Sequence, residues 1–122
     1  NYGFIPQTYA EDNDPLDALV LSQISFHPGI IVRSRPIGVM RMTDMGEPDD
    51  KILCVPLGDP LYHEIKSASD LPKNMLNQIL EFFRVYKNLE EKKVVIEGVE
   101  PLEVAVDIVK GAIMKYRTEY LE

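Results

Sequence analysis

One cysteine, two histidines and no apolar run of membrane-spanning length set the first limits on this 122-residue chain. Cys54 alone cannot form an internal disulfide, which fits a reducing compartment. His27 and His63 are far apart and Cys54 is the only thiol, so zinc is disfavoured as a ligand-bound metal. A transmembrane helix needs roughly 20 consecutive apolar residues, and no stretch here supplies them. No signal-peptide pattern opens the chain either, and a cytoplasmic location is expected. Positive charge is also scarce. Thirteen Lys and Arg against 20 Asp and Glu leave a net charge of −7 and a pI near 4.8. Indiscriminate binding to nucleic acid or to anionic membrane needs a positive surface, so neither is expected as a partner.

What the chain does have is an ordinary globular composition, 45% hydrophobic and 27% charged. Its length supports a single domain over residues 1–122. It begins at Asn1 without a Met and moves at once into patterned sequence, which reads as an N-terminally truncated domain. Short apolar runs broken by Pro and Gly predict strands at Ala18–Leu21, Ile30–Arg35, Ile37–Thr43, Ile52–Leu57 and Val94–Ile96. Two helices follow from periodicity. The first starts near Asp70-Leu71-Pro72, with Asp70 as cap, and buries Met75, Leu76, Ile79, Phe82, Phe83 and Tyr86. Lys87, Lys92 and Lys93 lie at or just past its end, where cations suit the dipole. The second starts after Pro101 and carries a stripe from Leu102 through Ala105, Ile108, Val109, Ala112 and Ile113 to Tyr116. Strands first and helices after predict an α+β domain, a small antiparallel barrel, incomplete at its front, flanked by two α-helices.

The chemistry concentrates in two acidic clusters. In Glu11-Asp12-Asn13-Asp14-Pro15-Leu16-Asp17, an extended backbone would place Asp12 and Asp14 on one side, and a bend at Pro15 would return Asp17 towards them. The second, Asp44-Met45-Gly46-Glu47-Pro48-Asp49-Asp50-Lys51, falls between two predicted strands and can reach the same rim of a sheet. Two carboxylates about 4 Å apart repel by roughly 4 kcal/mol at an effective dielectric near 20. A divalent cation or protonation would offset that, and crowded acids are expected to titrate upward until metal binds. Only hard oxygens are on offer, which favours magnesium or manganese. Solvated acidic loops and Asp-capped turns are the simpler readings of the same residues. An EF-hand is excluded, because Leu16, Asp17 and Gln23 stand at its fifth, sixth and twelfth positions. Arg33 and Arg35 on one strand and Arg41 on the next read as solvated edge charges, Cys54 as core and His63 as surface.

The first cluster, Asp12-Asn13-Asp14-Pro15-Leu16-Asp17-Ala18, resembles the signature Asp-x-Asp-Pro-apolar-Asp-apolar of family I soluble inorganic pyrophosphatases. Asn1-Tyr2-Gly3-Phe4-Ile5-Pro6 resembles the segment before it, and Arg35-Pro36-Ile37-Gly38-Val39 with Met42-Thr43-Asp44 resembles the strands after it. Asp49 and Lys51 fall at the family's steps beyond Asp44, and Phe82-Phe83-Arg84-Val85-Tyr86-Lys87 is similar to its helix with a Tyr-Lys pair. The resemblance implies hydrolysis of pyrophosphate to two phosphates with several magnesium ions, manganese being a possible substitute, on an OB-like barrel. It implies metal ligation by Asp12, Asp17, Asp44 and Asp49, with Asp14 as the base. It implies phosphate binding by Tyr2, Lys51, Tyr86 and Lys87. It also implies a further stretch before Asn1 with a Lys, a Glu and an Arg for substrate and metal, and a homo-oligomer, a hexamer if prokaryotic.

Overall fold

A computed structural model of the chain describes residues 1–89 and 94–121, the side chains of residues 86–89 excepted; Lys92 and Lys93 lie outside the described residues. The elements are β1 (Tyr2–Ile5), β2 (Leu16–Val20), β3 (Ser34–Asp44), β4 (Glu47–Pro48), β5 (Lys51–Pro56), α1 (Lys73–Leu89), β6 (Val94–Pro101) and α2 (Leu102–Tyr120). The strands form one sheet in the order β1-β2-β5-β3-β4, with β6 on the other side of β3. Its pairings are antiparallel except for β2 with β5, which run parallel. The sheet is therefore mixed, and it is an open, partial barrel.

Strand β5 explains why the sheet sits in the middle of the molecule. Leu53 and Val55 point to one face and Ile52 and Cys54 to the other, and all are buried. Burial on both faces suits the near-continuous apolar run Ile52–Val55. On one face the core gathers Ile37, Met40, Met42 and Phe83 of α1; on the other it gathers Val39, Ala18, and Ala105 and Ala112 of α2. Each helix thus covers its own face.

Several boundaries differ from the sequence expectation. β1 was not expected, and it extends the sheet beyond β2. Residues 30–33 are not strand: Ile30 and Ile31 are exposed, and β3 begins at Ser34. Arg33 consequently shares no strand face with Arg35, whose guanidinium donates to the carbonyls of Tyr62 and His63. Asp70 does not cap α1. Its Oδ2 accepts the N–H groups of Lys66 and Ser67, closing a 3-10 turn at Ala68–Asp70. Ser67 Oγ in turn accepts the Leu102 N–H, one of the donors that the first turn of α2 leaves without a helical partner.

Candidate active site

Strand direction brings the acids together. β2 and β5 are parallel with Asp17 opposite Lys51, so the two strands start at the same end of the sheet. β3 is antiparallel to β5, so its last residue, Asp44, reaches that end too. The β3–β4 hairpin turns there through Met45 and Gly46, with φ of 55° and 83°, the left-handed pair that a two-residue turn needs. Asp49 follows β4 and precedes Lys51. β1 runs antiparallel to β2, and its end delivers the loop that bears Asp12 and Asp14.

That loop is a tight turn rather than an extended segment. Asp12 Oδ1 accepts the Asp14 N–H at 3.2 Å, and Asn13 takes φ 66°, which Asn tolerates better than most residues. Thr8, a residue that sequence reasoning overlooked, is buried at the base. Its hydroxyl donates to Ile5 O at 2.6 Å and accepts the Leu16 N–H at 3.0 Å, fixing both ends of the loop. A lone threonine beside Pro and Gln carries no pattern that could have marked it.

Asp12, Asp14, Asp44, Glu47 and Asp49 line one cavity of about 260 Å³. Asp17 sits beside it through Lys51, whose ammonium lies 2.7 Å from Asp17 Oδ2 and 2.7 Å from Asp49 Oδ1. Lys51 is only 2% exposed, and its Nζ is 5.3 Å from the centre of the Tyr2 ring. Burial opposes its charge, but hydrogen bonds to Asp17, Asp49 and Tyr2 outweigh that and raise its pKa above the ordinary 10.5. Tyr2 is itself shifted upward, first by burial. Asp12 and Asp49 both titrate above their usual range. Burial is the leading cause in each, with neighbouring carboxylates adding to it and Lys51 opposing it at Asp49. Burial of the acids therefore matters more than the crowding expected from the sequence.

Tyr86 and Lys87 belong to the last turn of α1, and their side chains lie outside the described residues. The next described residue after Leu89, Val94, pairs with Asp44. Asp50 and Arg41 stand apart from the cavity lining: Arg41 pairs with Asp50 at 3.2 Å and with Glu100 at 2.9 Å, so it is a paired charge and not merely a solvated one. Cys54 is buried and its thiol is pushed up to about 12, which excludes it as a nucleophile at neutral pH. A larger cavity of about 620 Å³ lies between β1, β2 and α1, but its lining is mostly apolar and includes no carboxylate.

The acid-lined cavity suits hard cations. Among the described residues its polar side chains are all carboxylates, with no lysine or arginine in the lining. Among the described residues no three acids are already gathered into a closed cage.

An open partial barrel between two helices, with the carboxylates of two chain segments on one rim, defines an α+β domain with an acidic cavity at one end of its sheet. Comparison with known proteins identifies it further. The family model described as inorganic pyrophosphatase matches residues 1–117. The inorganic pyrophosphatase of Synechocystis is 44% identical over 117 residues, covering 96% of this chain and 69% of that protein. The inorganic pyrophosphatase structure from Helicobacter pylori superposes with a TM-score of 0.92 at 41% identity, covering 96% of this chain and 71% of the other. The N-terminally truncated vacuolar soluble pyrophosphatase of Trypanosoma cruzi, in complex with PPi, gives 0.90 at 28% identity over 100% of this chain and 53% of that one. This chain belongs to the inorganic pyrophosphatase family, whose members hydrolyse pyrophosphate to phosphate. It spans about two thirds of the length of the curated relatives it matches.

Proposed function

We propose that this chain hydrolyses inorganic pyrophosphate to two phosphates, and that the acid-lined cavity is where it does so. The observation that carries the reading is the convergence of Asp12, Asp14, Asp44 and Asp49 on one cavity, with Asp17 held at its edge by Lys51. Asp12, Asp17, Asp44 and Asp49 would hold magnesium, or manganese in its place. When bound, such ions neutralise a polyanionic substrate and lower the pKa of water from about 15.7 towards 7. Asp14 lines the cavity and takes the proton of the attacking water as general base. Asp12 is set for a different task, because its Oδ1 is committed to the Asp14 amide. Lys51, which sits beside the cavity through Asp17 and Asp49, and Tyr2 next to it would bind phosphate oxygens, as would Tyr86 and Lys87 of the last turn of α1. Charge on the leaving phosphate is what these cations stabilise. The same reading carries a cytoplasmic location and a homo-oligomer, hexameric in a prokaryote. Exposed Phe4 and Ile31 offer apolar surface for such an assembly.

Phosphate release from pyrophosphate should appear only when magnesium is added. Asp14→Asn keeps the shape of the side chain and removes the base, so kcat should fall at least about 100-fold. Undiminished turnover in that variant would remove Asp14 from the reaction. Binding of magnesium and pyrophosphate by calorimetry with no phosphate released would make the chain a binding module instead.

A further inference from the structure

Two contacts tie the second half of α2 to the turn that carries Asp12 and Asp14. The Tyr9 N–H donates to Ala112 O at 3.0 Å, and Lys115 Nζ donates to Ala10 O at 3.1 Å. The Lys115 ammonium also lies 4.7 Å from the centre of the Tyr9 ring, which meets the Tyr120 ring edge-on at 5.5 Å. Ala10 is the closing point of the turn. Its carbonyl accepts the Asn13 N–H at 3.0 Å and its N–H donates to Asp14 O at 2.8 Å. The lysine therefore grips the same carbonyl that closes the turn on which both acids stand. A charged donor makes the stronger kind of hydrogen bond, and the aromatic face beneath it restrains the long side chain.

We propose that Lys115 is a positioning residue: through Ala10 O and the Tyr9 ring it sets where Asp12 and Asp14 stand in the cavity. It does not itself line the cavity. Its effect on turnover rests on the pyrophosphatase reading; its effect on the order of the turn does not. A displacement of about 1 Å in a reacting group can cost on the order of 100-fold in rate, so loosening the grip should be visible.

The test compares the parent chain with Lys115→Met, which keeps the stem and loses the charge, and Lys115→Arg, which keeps both. In the metal-free protein, Lys115→Met should speed amide hydrogen exchange at Ala10 and Asn13 at least tenfold and leave the β3 and β5 amides unchanged. Magnesium titrated by calorimetry should bind several-fold more weakly. In steady-state phosphate release kcat should fall more than tenfold while KM changes less than twofold, and Lys115→Arg should recover most of each loss. Exchange and magnesium affinity equal to the parent would overturn the proposal. So would faster exchange spread evenly over β3 and β5, which would make Lys115 a general stabiliser. If the parent itself releases no phosphate, the hydrolase reading falls, while exchange and magnesium affinity still decide the role of Lys115.

Discussion

At the scale of single residues, Lys51 has a double task. In the proposed reaction it is a cation for substrate, and in the absence of metal it is the counter-ion that lets Asp17 and Asp49 stay close to each other. Removing one partner of a buried ion pair typically costs about 3–5 kcal/mol. Lys51→Met should therefore unfold at lower urea at pH 7, and the deficit should narrow near pH 4, where Asp49 is protonated more readily. Equal urea midpoints at pH 7 would show that the pair adds nothing to stability. The two partners also act in different pH windows. The Lys51 pKa is raised, so its stabilising effect is fully present below 10.5 and is lost as pH rises through the folded value. The Asp49 pKa is raised from 3.8, so its contribution is present below that value and is lost as pH rises through the folded one. Lys51 and the five aspartates were legible in the sequence because their register is local. Lys115 was not, because 105 residues separate it from Ala10.

At the scale of elements, close packing explains what periodicity could not. β3 is followed from Ser34 to Asp44 by β6 and β5, with register shifts at Pro36/Gly38 against β5 and at Arg41/Met42 against β6. Gly38 lies under the 3-10 turn: a Cβ there would stand 2.5 Å from Ala68 Cβ and 2.7 Å from Glu100 O. Gly38→Ala should cost about 1–3 kcal/mol by overpacking, read as a fall in Tm. Gly3→Ala, with nothing within 4 Å of its Cβ, is the control and should change Tm little. An unchanged Tm for Gly38→Ala would mean that the Ala68 turn moves away freely. The long helices and the runs of β3 and β5 were readable because apolar spacing reports burial, with Phe82 the exception: expected on the buried stripe of α1, it is 61% exposed, while the neighbouring Phe83 takes the place in the core. β1 escaped because Tyr2 and Phe4 are exposed and Gly3 interrupts the run. The expected strand at Ile30 failed because an isoleucine pair has strand propensity but finds no neighbouring strand.

For the whole molecule, the acidic rim links cation binding to folding. A net charge of −7 places self-repulsion in the native state, and the carboxylates of the cavity concentrate part of it. An ion that binds only the folded chain stabilises it by about 2.7 kcal/mol at a hundredfold excess over Kd. Magnesium should accordingly raise Tm by roughly 10 °C at that excess, given about 3–5 °C per kcal/mol for a domain of this size. The same ionic strength supplied as potassium chloride should give much less. Equal shifts with both salts would assign the effect to screening alone.

The bridge from Lys115 to Ala10 also ties the aspartate turn to a helix far away in sequence. Such a contact costs loop-closure entropy, because the intervening segment of the chain must be closed into a loop to make it. If Lys115 positions the turn as proposed, the aim of Asp12 and Asp14 is only as secure as the docking of α2, and any change that loosens that helix loosens the acids with it.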